Sequence, residues 1–238
     1  MLEALKEKVF RANMKLVEAG LVILTWGNAS GIDRSKGLMV IKPSGVDYDE
    51  LSPEKMVVVD LNGNVLEGGL RPSSDTPTHI VLYRNFEGIG GIVHTHSTWA
   101  TAWAQSRSPI PSLGTTHADH FHNEIPCTRL LREEETEENY EMNTGRVIVE
   151  TFASKDYFST PGVLVAGHAP FTWGKNLDDA VNNSVVLEEV ARMAFLTKML
   201  KSDVETLPAH IIDKHYSRKH GKNAYYGQKK APGDAPDR

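Results

Sequence analysis

The stretch Gly90-Gly91-Ile92-Val93-His94-Thr95-His96-Ser97 is an apolar run that ends in two histidines one residue apart. In a strand alternate side chains share a face, so His94 and His96 point the same way and can grip one divalent metal together. An isolated H-x-H at a strand end is more often an ordinary pair of surface or core histidines than a metal site. Its partners elsewhere in the chain decide the reading.

A second apolar run, Val163-Leu164-Val165-Ala166-Gly167-His168-Ala169-Pro170, also ends in a histidine and can deliver a third imidazole from a neighbouring strand end. Three imidazoles on one ion leave an open position for substrate or water. In Arg71-Pro72-Ser73-Ser74-Asp75-Thr76-Pro77-Thr78, Asp75 is either a further carboxylate ligand or the N-cap of a helix beginning at Thr76 or Pro77. The hydroxyls of Ser73 and Ser74, with the unpaired amides of that helix start, favour an anion. Lys42-Pro43-Ser44-Gly45 offers a cation, a hydroxyl and a backbone-exposing glycine, and Thr25-Trp26-Gly27-Asn28-Ala29-Ser30 is a similar turn without the cation. Singly each is an ordinary turn; beside a metal site the three together suggest a phosphate cradle.

Composition narrows the class. With 238 residues, 40% hydrophobic and 24% charged, the chain has the profile of a soluble globular protein able to bury a full core. A net charge of -5 gives no basic surface of the kind that non-specific nucleic-acid binding uses. No apolar window reaches membrane-spanning length, so neither nucleic acid nor membrane is an expected partner. The single Cys127 excludes an internal disulfide and any C-x-x-C motif, which fits a reducing, cytoplasmic location.

Strands are predicted at residues 21–24, 38–41, 56–60, 64–66, 89–95, 146–151 and 163–166, with Asn62-Gly63 as a hairpin turn. Helices are predicted over 1–20, 76–86, 97–104 and 177–200. The class is α/β with a mixed sheet. The acidic run Glu133-Glu134-Glu135-Thr136-Glu137-Glu138 reads as a solvated helix face or loop. Residues 229–238, Lys/Pro/Asp-rich and apolar-poor, read as a disordered tail after one catalytic domain spanning 1–228.

Several of these segments carry a resemblance. Thr25-Trp26-Gly27-Asn28, Ile41-Lys42-Pro43-Ser44-Gly45-Val46, Arg71 to His79, Ile92 to Ser97, Gly114-Thr115-Thr116-His117-Ala118-Asp119, His215 to Gly221 and Ala224-Tyr225-Tyr226-Gly227-Gln228 resemble the class II aldolase and epimerase superfamily. The tyrosine-rich end resembles the branch that epimerises pentulose phosphates. The likeness runs in register from Met1 to Gln228.

That resemblance implies a three-layer α/β/α fold around a central mixed, largely antiparallel sheet. It implies a C4 homotetramer with sites between subunits, and one divalent metal per subunit, zinc or else manganese, on His94, His96, His168 and Asp75. By the same correspondence Gly27, Asn28, Ser44, Gly45, Ser73 and Ser74 contact the substrate, chiefly its phosphate, while Asp119 and Tyr226 form the acid/base pair. Lys42 joins the phosphate group on charge grounds, and His215, in a basic cluster near the chain end, is a further candidate. The implied reaction interconverts L-ribulose 5-phosphate and D-xylulose 5-phosphate, within L-arabinose breakdown.

The chemistry accounts for such a site. In a 2-ketopentose 5-phosphate, C4 lies β to the carbonyl, so its C–H is not acidified and cannot simply be removed and replaced. Cleaving C3–C4, rotating the glycolaldehyde phosphate and rejoining the bond inverts C4, and a Lewis acid stabilises the charge left on the other fragment. Two alternatives follow from the same residues: a sugar-phosphate aldolase or dehydratase, and a binding protein without catalysis. Superfamily aldolases generally carry a glutamate base where this chain has Asp75, whose shorter carboxylate favours ligation.

Overall fold

Between Leu38 and Asp60 the apolar side chains alternate: Met39, Ile41, Val57 and Val59 enter one core while Val40 and Val58 enter another. A period of two with both faces buried marks strands at the middle of a layered fold. The computed structural model describes residues 2–221, 224 and 225. Tyr226 and the 229–238 tail therefore lie outside the described residues.

The strands are β1 Asn28–Asp33, β2 Leu38–Ile41, β3 Val57–Asp60, β4 Val65–Glu67, β5 Gly91–His94, β6 Gly162–Leu164 and β7 Pro170–Gly174. They form one sheet of order β4-β3-β2-β1-β5-β7-β6. The helices are α1 Glu3–Glu18, α2 Thr76–Asn85, α3 Thr98–Ser106, α4 Thr115–Ala118, α5 Glu133–Glu137, α6 Tyr140–Thr151, α7 Leu177–Leu200 and α8 Ala209–His220. Val9 and Leu16 of α1 with Ala180 and Val181 of α7 cover one face, where Ala29, Val40, Val58 and Val93 point. Ile80 and Tyr83 of α2 with Ile148 of α6 cover the other, against Met39, Val57, Ile92 and Trp173. The result is a helix–sheet–helix sandwich of three layers. None of the described helices is long and apolar enough to cross a membrane.

The start of α7 presses on bare backbone. Gly31, Gly91 and Gly174 are consecutive register partners across β1, β5 and β7. A Cβ on Gly91 would lie 2.7 Å from Leu177 Cα and 2.9 Å from Asn176 O, so only glycine admits the helix here. Asn176 caps α7, its side chain accepting from the Asp179 amide at 2.9 Å.

Several predicted elements differ. Every pairing between the named strands is antiparallel, and the parallel component of the expected mixed sheet reduces to one isolated bridge, Cys127 with Leu164. Residues 21–24 form a loop, not a strand: Ile23 and Leu24 are exposed and Leu24 has a φ of 53°, outside the extended region. The strand starts instead at Asn28, where Asn-Ala-Ser-Gly-Ile-Asp has poor strand propensity but is held between β2 and β5. Residues 146–151 are the end of α6, since Thr144, Val147 and Ile148 lie on one buried helical face. The acidic run supplies α5, and Glu135 pairs with Arg129 at 2.7 Å.

Candidate active site

One rung of the sheet builds the centre of the site. Asn28 of β1, His94 of β5 and Phe171 of β7 are successive register partners at the strand ends. His94 is buried, and its Nδ1–H donates to the Pro170 carbonyl at 2.9 Å, which turns Nε2 toward the other histidines. The imidazole lies flat on the Phe171 ring, centroids 4.1 Å apart. Just past the strand, His96 brings Nε2 to 3.1 Å from His94 Nε2. His168 reaches them from the turn before β7, and one ligand atom from each of the three lies within 4.8 Å of the others.

This donor set fits a divalent metal. Two nitrogens on a tetrahedral ion with bonds near 2.0–2.1 Å stand about 3.4 Å apart, close to the spacing found here. Burial, with the neighbouring imidazoles, pushes His168 down to about 4 and also lowers His96, so both rings offer neutral lone pairs at neutral pH. His168 Nδ1 is buried without a partner among the described residues, so the chain alone does not satisfy that ring.

The Asp75 side chain does not cap α2. It occupies the N-cap position of α2 but makes no side-chain capping bond. Its Oδ2 instead accepts from Asn28 Nδ2 at 2.7 Å and lies 4.0 Å from His94 Nε2. Burial raises this carboxyl, yet the facing His94 and His79 imidazoles and the Asn28 amide outweigh it and hold Asp75 below its ordinary value. It is an anion beside three imidazoles.

A cavity of about 540 Å³ opens over this group. Gly27, Asn28, Lys42, Ser44, Gly45, Ser73, Ser74, Asp75, His94, His96 and His168 all line it, so the structure gathers the three suspected phosphate loops and the metal-type residues in one place. The Ser44 and Ser73 amides are used within the loops, donating to Arg71 O and Lys42 O. Asn28 Nδ2 also donates to Ser73 Oγ at 3.1 Å, while its Oδ1 is buried with no partner among the described residues. Lys42 is buried, and its ammonium donates to Thr25 O at 3.3 Å and Val46 O at 3.0 Å, spanning two of the loops. Burial lowers its pKa to about 8.

Two predicted residues stand apart from this cavity. Asp119, just after α4, is gripped by α8: Arg218 Nε and Nη2 donate to its two oxygens at 2.8 and 2.5 Å, and His215 Nδ1 is 3.0 Å from Oδ1. Neither Asp119 nor His215 lines the metal cavity of its own chain. Burial would raise the Asp119 carboxyl, but Arg218 and His215 hold it below the ordinary value. Tyr226 falls outside the described residues.

Sequence reasoning missed Tyr140 and Glu141, which line the cavity from the start of α6. They directly follow the acidic run, and a helix start opposite His168 is visible only in the fold. Trp26 is half exposed on the cavity wall, its ring 6.1 Å from that of His96.

The layers and the three-histidine cluster define a three-layer α/β/α fold with a candidate metal site, and the comparisons give it a family. The chain belongs to the class II aldolases: the Class II Aldolase and Adducin N-terminal domain matches residues 7–195. It is 55% identical over 228 residues to the L-ribulose-5-phosphate 4-epimerase UlaF of Salmonella paratyphi C (strain RKS4594), covering 96% of this chain and 100% of that one. Among solved structures it resembles an L-fuculose 1-phosphate aldolase, with a TM-score of 0.77 and 30% identity over 90% of this chain and 95% of that one. It also resembles the L-fuculose-1-phosphate aldolase of Thermus thermophilus, with a TM-score of 0.65 and 25% identity over 85% and 98% of the two chains.

Proposed function

We propose that the protein is a metal-dependent epimerase that interconverts L-ribulose 5-phosphate and D-xylulose 5-phosphate. The observation that carries this reading is the single cavity shared by His94, His96, His168 and Asp75 with the loops of Gly27, Ser44 and Ser73, in a chain 55% identical to an L-ribulose-5-phosphate 4-epimerase. Held by the three imidazoles and Asp75, a divalent ion, most simply zinc, would supply Lewis-acid stabilisation of the charge that builds when C3–C4 opens.

The chain's own groups do the rest. Gly27, Asn28, Ser44, Gly45, Ser73 and Ser74 hold the phosphate while the glycolaldehyde phosphate turns its other face, and Lys42 braces two of those loops. Asp119 and Tyr226 exchange the proton of the C4 oxygen, one on each face. Asp119 is tied to α8 away from its own cavity, so in this reading the pair serves the cavity of a neighbouring subunit in a homotetramer. His215, bonded to Asp119, travels with it. The expected setting is the cytoplasm, with L-arabinose breakdown as the source of substrate.

The test incubates metal-replete protein with L-ribulose 5-phosphate and follows D-xylulose 5-phosphate, beside His96→Asn and Tyr226→Phe. Turnover by the wild type, its loss on chelation and its recovery with added zinc are expected. Cleavage of another sugar phosphate in place of epimerisation would assign the protein an aldolase activity, which the fuculose-type structural likeness makes the second reading.

A further inference from the structure

Tyr48 is a buried phenol that the chemistry above does not use. Its hydroxyl donates to two successive carbonyls of the first loop, Trp26 O at 3.1 Å and Gly27 O at 3.0 Å. The Lys42 ammonium lies 4.7 Å from the centre of the same ring and takes the preceding carbonyl, Thr25 O. Three consecutive carbonyls are therefore held from beneath by one Lys–Tyr pair rooted just after β2. Burial pushes the Tyr48 phenol upward, so it remains a protonated donor.

Peptide geometry gives the pinning a consequence. In a trans peptide the N–H points opposite to the C=O of the same unit. Fixing the Trp26 carbonyl thus turns the Gly27 N–H the other way. No backbone acceptor for the Gly27 N–H is found among the described residues, and Gly27 borders the cavity. The loop cannot be set by a side chain at this position: Gly27 has a φ of 79°, and an added Cβ would lie 2.8 Å from Val22 Cγ1 and 3.0 Å from His94 O. Tyr48 itself does not line the cavity.

The geometry points to Tyr48 as a positioning residue for phosphate recognition, its hydroxyl orienting the 26–27 peptide unit so that the Gly27 N–H faces the substrate's phosphate. This rests on the assignment of the 25–28 loop to phosphate made above. Tyr48→Phe removes the hydroxyl and keeps the ring under Lys42. In the metal-replete variant, KM for L-ribulose 5-phosphate and the inhibition constant of inorganic phosphate should both rise about five- to tenfold, with kcat within about twofold, as for a lost interaction made equally in ground and transition states. Activity on unphosphorylated L-ribulose and affinity for cobalt should not change, which a general loosening of the fold would not spare.

Unchanged phosphate inhibition, or an equal loss on the phosphorylated and unphosphorylated sugars, overturns the inference. Calorimetric titration of inorganic phosphate into wild type and variant reads the same difference without turnover, so failure of the epimerase reading is distinguishable from failure of this one. Should Tyr48→Phe not fold, the wild type answers through its Gly27 amide resonance. It should shift on adding inorganic phosphate, and its indifference would equally dismiss the role.

Discussion

The imidazole of His94 is stacked on the ring of Phe171, its cross-strand partner, at 4.1 Å and an interplanar angle of 17°. His79 meets the Phe171 ring edge-on, centroids 6.0 Å apart. The orientation of a proposed metal ligand is thus set by an apolar ring and one carbonyl, Pro170 O, with no carboxylate on Nδ1 among the described residues. Such supporting groups are worth about 10–100-fold in metal affinity. Phe171→Leu should weaken zinc binding about tenfold in a competition titration with a chromophoric chelator, while the metal-free protein loses only ~1 kcal/mol in urea denaturation. An unchanged zinc affinity would show that the carbonyl alone aligns His94.

Gly91 tests the packing of α7. A methyl group there must displace Leu177 and Asn176 backbone, which cannot rotate away. Gly91→Ala should cost about 2–3 kcal/mol, read as a lower urea midpoint with the slope preserved. Gly114→Ala, where an added Cβ meets nothing within 4 Å, is the matched control and should change little.

Acid sensitivity should depend on His79. This ring is fully buried and shares a 2.7 Å hydrogen bond with Ser30 Oγ. Burial lowers its pKa to about 3, against the pull of Asp75, whereas the unfolded chain titrates near 6.5. Between those values the unfolded state binds a proton that the folded state does not, so stability rises with pH across the window and is lost as pH falls through it. His79→Asn should be less stable at pH 7 yet show a flatter decline between pH 6.5 and 4, measured by urea midpoints. A slope equal to the wild type would mean that other histidines dominate.

Arg218 governs Asp119. Its two hydrogen bonds hold the carboxyl below the ordinary range, against burial. With Arg218→Gln the acid limb of the kcat/KM profile for L-ribulose 5-phosphate should move to higher pH. The Asp119 contribution to stability, present above the ordinary carboxylate range and lost below it, should shrink in the same variant. An unmoved limb would argue that Asp119 is not the titrating group.

The clustered histidines were legible because each ends an apolar run, and strand ends are where a sheet presents polar groups to a cavity. Val57 to Asp60 and Leu177 to Leu200 were legible for the same reason of period: side-chain spacing matched the element. β1 was not, since Asn28-Ala29-Ser30-Gly31 has no strand propensity and is recruited by hydrogen bonds from both neighbours. Arg146 to Thr151 misled because β-branched residues also pack helices, and the helix start at Tyr140 lies upstream of the apolar run. The separation of Asp119 from the cavity had no local signal, because it depends on where α8 folds back. Tyr140 and Glu141 were hidden likewise: only the path of α6 brings them to His168.

The shared rung of Asn28, His94 and Phe171 makes the sheet a ruler. Neighbouring strands are held about 4.8 Å apart by backbone hydrogen bonds. On the proposed reading the loop that ends in Asn28 takes the phosphate and His94 the other end of the sugar, so the interval between them is a strand spacing, with no hinge to stretch it. A sheet of this kind measures its substrate by length. It would favour chains with three carbons between carbonyl and phosphate oxygen over longer homologues.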